Sequence, residues 1–167
     1  IYTGEDTLSL HDALPILLEI YIDADACPVK EDALRIAKRY SLKVYMVSNH
    51  PKTIPVADWI IPVVVEKEFD ATDKWISEKI QEKDICLTND LLLSELCIQR
   101  KALVINPRGK ILDENNIGDA LATRELMYDL RQSGAMDMGP KKMGKNHRSN
   151  FLSEFDKLIN LIKNGKY

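Results

Sequence analysis

Apolar residues along this chain fall into short β-favouring runs that alternate with stretches of helical spacing. Leu18-Glu19-Ile20-Tyr21-Ile22 predicts a strand ending at Asp23, and Pro28 then opens a helical pattern with Leu34, Ile36, Ala37 and Tyr40 on its apolar side. Residues 43–47 predict a second, buried strand closed by the turn-prone Ser48-Asn49-His50-Pro51. A third run, 59–65, contains Pro62, which removes a ladder donor and so belongs at a sheet edge. A helix follows from Asp70-Ala71-Thr72-Asp73 with Trp75, Ile76 and Ile80 inward, then a strand over 84–88. Asn89-Asp90 caps the next helix, which carries Leu92, Leu93, Leu96 and Cys97, and residues 102–105 form a last core strand stopped by Asn106-Pro107. Two further amphipathic helices are predicted over 117–130, with Leu121, Leu126 and Leu130 buried, and over 151–162, with Phe151, Phe155, Leu158, Ile159 and Ile162 buried.

This alternation predicts a single α/β domain of three layers, a mostly parallel central sheet with helices on both faces. A length of 167 residues fits one such core, assigned here to residues 18–167. Residues 1–17 read as foreign to it or disordered, because they combine Glu5, Asp6 and Asp12 with no pattern of a signal peptide.

Composition narrows the function classes. An apolar share of 45% and a charged share of 29% are those of a folded globular protein. No apolar run approaches the roughly 20 residues of a membrane span, so no membrane partner is expected. Cys27, Cys86 and Cys97 lack the paired spacing of a disulfide or zinc framework and read as reduced thiols of a cytoplasmic protein. The net charge of −3 argues against a protein that coats DNA, yet Lys141, Lys142, Lys145 and Arg148 cluster without an acidic neighbour beside Gly139, Pro140 and Gly144. That pattern predicts a flexible basic loop over 134–150 that contacts phosphates, with Arg108 as a further candidate.

The chemistry lies in the aspartates. Ligands of open α/β sheets sit beyond the carboxyl ends of the strands, and Asp23, Asp25 and Asp90 fall at such ends while Asp70 and Asp73 open a helix. If extended geometry holds, the Asp23 and Asp25 carboxylates share one side. Clustered carboxylates repel, so the arrangement calls for a cation, and oxygen-only donors select Mg²⁺ or Mn²⁺. Asp23, Asp25 and Asp90 are the expected metal ligands; Asp70 and Asp73 complete the catalytic set or, on the structural reading, serve as helix caps. Cys27 at a helix start is either a reactive thiolate or a small buried thiol.

Five motifs in order, Asp23-Ala24-Asp25-Ala26-Cys27-Pro28, Phe69-Asp70-Ala71-Thr72-Asp73, Asp84-Ile85-Cys86-Leu87-Thr88-Asn89-Asp90, Asn106-Pro107-Arg108-Gly109 and Gly139-Pro140, resemble the YaiI/YqxD family of bacterial proteins. That family is similar to the PIN-like superfamily of nuclease-related domains, a resemblance that implies a PIN-like fold and metal ligands at Asp23, Asp25, Asp70 or Asp73, and Asp90. Three functions are therefore expected to compete. The first is a metal-dependent nuclease acting on RNA or single-stranded nucleic acid. The second is a non-catalytic RNA- or protein-binding domain, and the third a haloacid-dehalogenase-like phosphatase with Asp23 as nucleophile and Ser48 in its second motif.

Overall fold

Strand β1 (Glu19–Asp23) occupies the middle of a six-stranded sheet because its buried core, Ile20-Tyr21-Ile22, is apolar on both faces. In the computed structural model, which describes residues 18–50, 54–134 and 142–167, the strand order is β3-β2-β1-β4-β5-β6. The expected break at residues 1–17, Lys141 and the Gly139-Pro140 motif lie outside the described residues. Strands β2 (Lys43–Ser48), β3 (Ile60–Val64), β4 (Ile85–Leu87) and β5 (Leu103–Ile105) all run parallel to β1. A sixth strand, β6 (Ile111–Leu112), turns back antiparallel on β5 through the Asn106–Lys110 turn; at two residues it is too short for a periodicity signal, and it was not expected.

Alternation along the strands divides the core into two. Ile20, Ile22, Ile85 and Leu87 face a layer made by α1 (Lys30–Arg39) and α5 (Lys145–Lys163), which contributes Phe151, Phe155, Leu158, Ile159 and Ile162. Tyr21 and Cys86 face the opposite layer, which holds Ile76 and Ile80 from and just beyond α2 (Ala71–Lys79), Leu93 and Cys97 from α3 (Leu91–Gln99), and Ile117 from α4 (Ile117–Gln132). The three-layer α/β architecture predicted above is the one observed.

Three differences from the expected elements have physical causes. Pro28 does not start α1; a 3-10 turn (Ala24–Ala26) comes first, and the helix begins at Lys30. Helix α5 begins at Lys145, six residues before its first buried aromatic, so residues 145–150 are helical rather than part of a flexible loop. The buried stripe expected on α4 is not buried: Leu126 is 58% and Tyr128 60% exposed, and Ile117 is the one buried residue in the helix. The chain enters α4 beside Ile98, Lys101 and Ala102 at the end of α3, whereas Leu121 and Tyr128 share a groove with Leu92 in the first turn of α3. Helix α4 therefore runs antiparallel to α3 and carries its second half toward the carboxyl edge of the sheet.

Candidate acidic site at the carboxyl edge

Strand order brings β1 and β4 side by side, with Ile22 paired to Leu87, so the chain segments leaving both strands open onto one crevice. Asp23 keeps the parity of Tyr21 and thus falls on the side of α2 and α3. Helix α2 is anchored there by Trp75, whose ring lies 6.2 Å from Tyr21 and 5.9 Å from Tyr45, and Asp73 sits half-buried two residues earlier. Asp90 is the N-cap of α3: its Oδ1 accepts from Leu92 N at 2.8 Å and Leu93 N at 3.2 Å.

Thr88 ties these pieces together. Its hydroxyl donates to Asp23 Oδ2 at 3.1 Å and accepts from the Asp90 backbone N–H at 3.0 Å, and the residue is only 1% exposed. Sequence reasoning passed over Thr88; the signal was a hydroxyl two residues before a helix cap, the pattern of a local side-chain turn.

The electrostatics record the crowding. Burial pushes the Asp73 carboxyl up to about 6, and the charges of Asp90, Asp23 and Asp70 add to it. Asp23 is likewise raised, first by burial and then by Asp25 and Asp90, against the lowering effect of the Thr88 hydrogen bond. Asp73 accepts no hydrogen bond among the described residues, and Asp70 makes no side-chain cap on α2, so neither is accounted for as a helix cap.

Asp25 behaves differently. The 3-10 turn breaks the extended geometry on which a shared side with Asp23 depended, and its carboxylate turns to the end of β2. There it accepts from the Ser48 hydroxyl and from Asn49 N at 2.8 Å, with His50 Nδ1 3.6 Å away. Burial acts to raise its carboxyl, but these bonds outweigh it and hold the group below the usual range. As the side chains stand, no three acidic, histidine or cysteine groups among the described residues are arranged to hold a metal ion. The site thus consists of Asp23 and Asp73, both raised, together with Asp90, with Asp25 beside it and Asp70 exposed at its rim.

Two of the basic candidates, Arg148 and Arg108, are occupied elsewhere. Arg148, in the first turns of α5, grips the buried Asp32 through Nε to Oδ2 at 2.6 Å and Nη2 to Oδ1 at 2.8 Å. Its expected role as a loop cation is replaced by a structural ion pair. Arg108 Nη1 lies 3.2 Å from His147 Nε2, and its carbonyl accepts from Asn150 Nδ2 at 2.8 Å, so the Asn106–Lys110 turn is fastened to α5. Lys142 and Lys145 are exposed. Cys27 is buried, and burial pushes its thiol up to about 12, which identifies it as the inert alternative.

The comparisons with known proteins agree with the motifs. The family model "Uncharacterized BCR, YaiI/YqxD family" matches residues 21–161. A UPF0178 protein of Paramagnetospirillum magneticum is 46% identical over 147 residues, covering 88% of this chain and 97% of that protein. Another from Rhodospirillum centenum is 43% identical over 154 residues, covering 90% and 100%, and one from Azorhizobium caulinodans is 44% identical over 151 residues, covering 90% and 95%. No solved structure matches the chain significantly. Among the described residues no helix is long and apolar enough to cross a membrane. With a family model spanning most of its length and relatives above 40% identity along nearly their whole chains, this protein belongs to the YaiI/YqxD family.

Proposed function

We propose that the protein is a Mg²⁺- or Mn²⁺-dependent phosphodiesterase that hydrolyses RNA or single-stranded nucleic acid. The observation that carries this reading is the convergence of Asp23, Asp73 and Asp90 at the β1/β4 crevice, where burial, with the charges of Asp90 and Asp23 adding to it, raises Asp73 to about 6. Gathered carboxylates, two of them with raised pKa, are explained by a cation that neutralises them, and their oxygen donors suit a hard divalent ion. Asp23, Asp73 and Asp90 would hold it, with Asp25 next to Asp23. A bound divalent ion of this kind supplies a water of lowered pKa and a counter-charge for the leaving oxygen. The chain's own contribution is positioning: Thr88 fixes Asp23, and the first turn of α3 fixes Asp90.

The test pairs stability with cleavage. In EDTA, Asp23→Asn is expected to melt at or above the temperature of the parent, because repulsion is relieved, while Mn²⁺ raises the melting point of the parent alone. Labelled single-stranded RNA should be cut by the parent in Mn²⁺ and spared by the mutant. A parent with neither metal-induced stabilisation nor cleavage refutes the proposal, and a trapped phosphoryl-enzyme would transfer it to a phosphatase mechanism at Asp23.

One observation favours a second reading, a domain that binds without turnover. Asp25 and Asp90 both spend carboxylate oxygens on backbone N–H groups, as purely structural aspartates do. Oligonucleotide binding that is unchanged by EDTA, with no cleavage under any metal, identifies that case.

A further inference from the structure

Helix α4 is built for something other than the core of its own domain. Most helices in proteins are stabilised by packing an apolar face, yet only Ile117 of its sixteen residues is buried. Its first half does pack: Ile117 joins the core, with Ala120 and Leu121 against it. At helical spacing the same face continues through Arg124, Tyr128 and Arg131, where apolar residues give way to a cation, an aromatic ring and a second cation. Neither guanidinium has a hydrogen bond or ion pair among the described residues, in contrast to Arg39, Arg108 and Arg148, and the Tyr128 ring is 60% exposed.

The position of this stripe matters more than its composition. Because α4 rises toward the carboxyl edge, Arg124 and Tyr128 line an open groove of about 370 Å³ together with Leu92, Leu121 and Glu125. Leu92 donates its backbone N–H to Asp90 Oδ1 at 2.8 Å, so one wall of the groove begins at the acidic site itself. Leu92 and Tyr128 offer apolar and π surface, and Arg124 and Arg131 offer charge on either side of the ring. Glu125 at the groove's edge balances one of these charges, which limits the surface to a local contact rather than a broad basic face.

We infer that the Arg124-Tyr128-Arg131 stripe is the strand-binding surface of the site: a base of a single-stranded nucleic acid stacks on Tyr128 and the flanking phosphates pair with the two arginines. Every base has a π face, so such a platform binds single strands with little sequence preference, whereas a paired duplex hides that face. The inference rests on the phosphodiesterase reading for its substrate class, but it concerns binding and is tested apart from cleavage.

The measurement is fluorescence anisotropy of a labelled twelve-nucleotide single strand in EDTA, over a series of salt concentrations. The parent should bind, and affinity should fall as salt rises. Arg124→Ala/Arg131→Ala should bind on the order of tenfold or more weakly, with a log–log salt slope shallower by about 1.4 for two lost contacts to a single strand. Tyr128→Ala should weaken binding by roughly tenfold while Tyr128→Phe keeps parental affinity, because stacking needs the ring and not the hydroxyl. All three positions changed are exposed, so the variants should melt with the parent, as circular dichroism will check. Parental affinity and slope in the double arginine variant overturn the inference. So does a parent that binds no oligonucleotide, or one that instead dimerises through this groove as concentration rises. Loss of cleavage with binding intact would refute the phosphodiesterase reading alone.

Discussion

Asp73 shows how a single carboxyl reports on its surroundings. Its folded value of about 6 lies above the ordinary range, so the folded state holds a proton that the unfolded chain releases. Stability from this group is complete below about pH 4 and is lost as pH rises through 6. In EDTA at pH 7, Asp73→Asn should therefore raise the melting temperature by a few degrees, and the gain should vanish below about pH 4. Thermal melts across that range, parent against mutant, decide it. Asp32 runs the other way. Hydrogen bonds from Arg148 hold its carboxyl below the usual range, so its contribution is present above about pH 4 and fades as pH falls through the depressed value. Arg148→Ala leaves a 2% exposed carboxylate with Arg35 at 3.3 Å as its remaining cation, and the melting temperature at pH 7 should fall by several degrees. The loss should shrink on acidification. Neither role was legible from sequence: a lone Asp in an amphipathic helix and a lone Arg in a basic run look solvated until the fold brings residues 116 positions apart into contact.

At the scale of elements, the strands followed from periodicity, because β1, β2, β4 and β5 are short apolar runs bounded by turn residues. The approach of Asp23 to Asp90 depended on a condition periodicity does not supply, that β1 and β4 be neighbours, and the sheet meets it. What stayed hidden depends on geometry finer than a pattern. The 3-10 turn swings Asp25 toward Ser48, and no count of residues distinguishes that from one more extended pair. Helix α4 misled for a different reason: its leucines have helical spacing, but the helix packs by its first half only. The Asn106–Lys110 turn offers a test of how elements are fastened. Gly109 has φ +86°, and a Cβ there would stand 2.6 Å from Asn150 Nδ2 and 2.9 Å from the Asn150 backbone carbonyl. Gly109→Ala should cost more than about 1 kcal/mol in urea unfolding, from both the left-handed backbone and the clash with α5. A neutral result would show that the turn moves freely against the helix.

For the whole molecule, three buried thiols provide a measure of cooperativity. Cys27 lies in the α1/α5 layer while Cys86 and Cys97 lie in the opposite one, and all are reduced. If the two layers open together, all three should react with an aromatic disulfide at one rate that tracks global unfolding in urea. A Cys27 that reacts early would mark the α1/α5 layer as a separately unfolding unit. The sheet has one further property. Its outer strand, β3, donates to β2 through odd-numbered positions, as Val65 N to Ser48 O at 3.0 Å shows, so even-numbered positions turn their backbone nitrogens away from β2, and of these Ile60 N is taken by Ala57 O at 3.1 Å. Pro62 is one of these, and it has no N–H to present. The exposed rim is thereby interrupted midway along a five-residue strand, at the place where a strand from another molecule would seek a donor. A proline that costs the native ladder nothing thus acts as a guard against aggregation, protecting crowded copies of this protein from joining edge to edge.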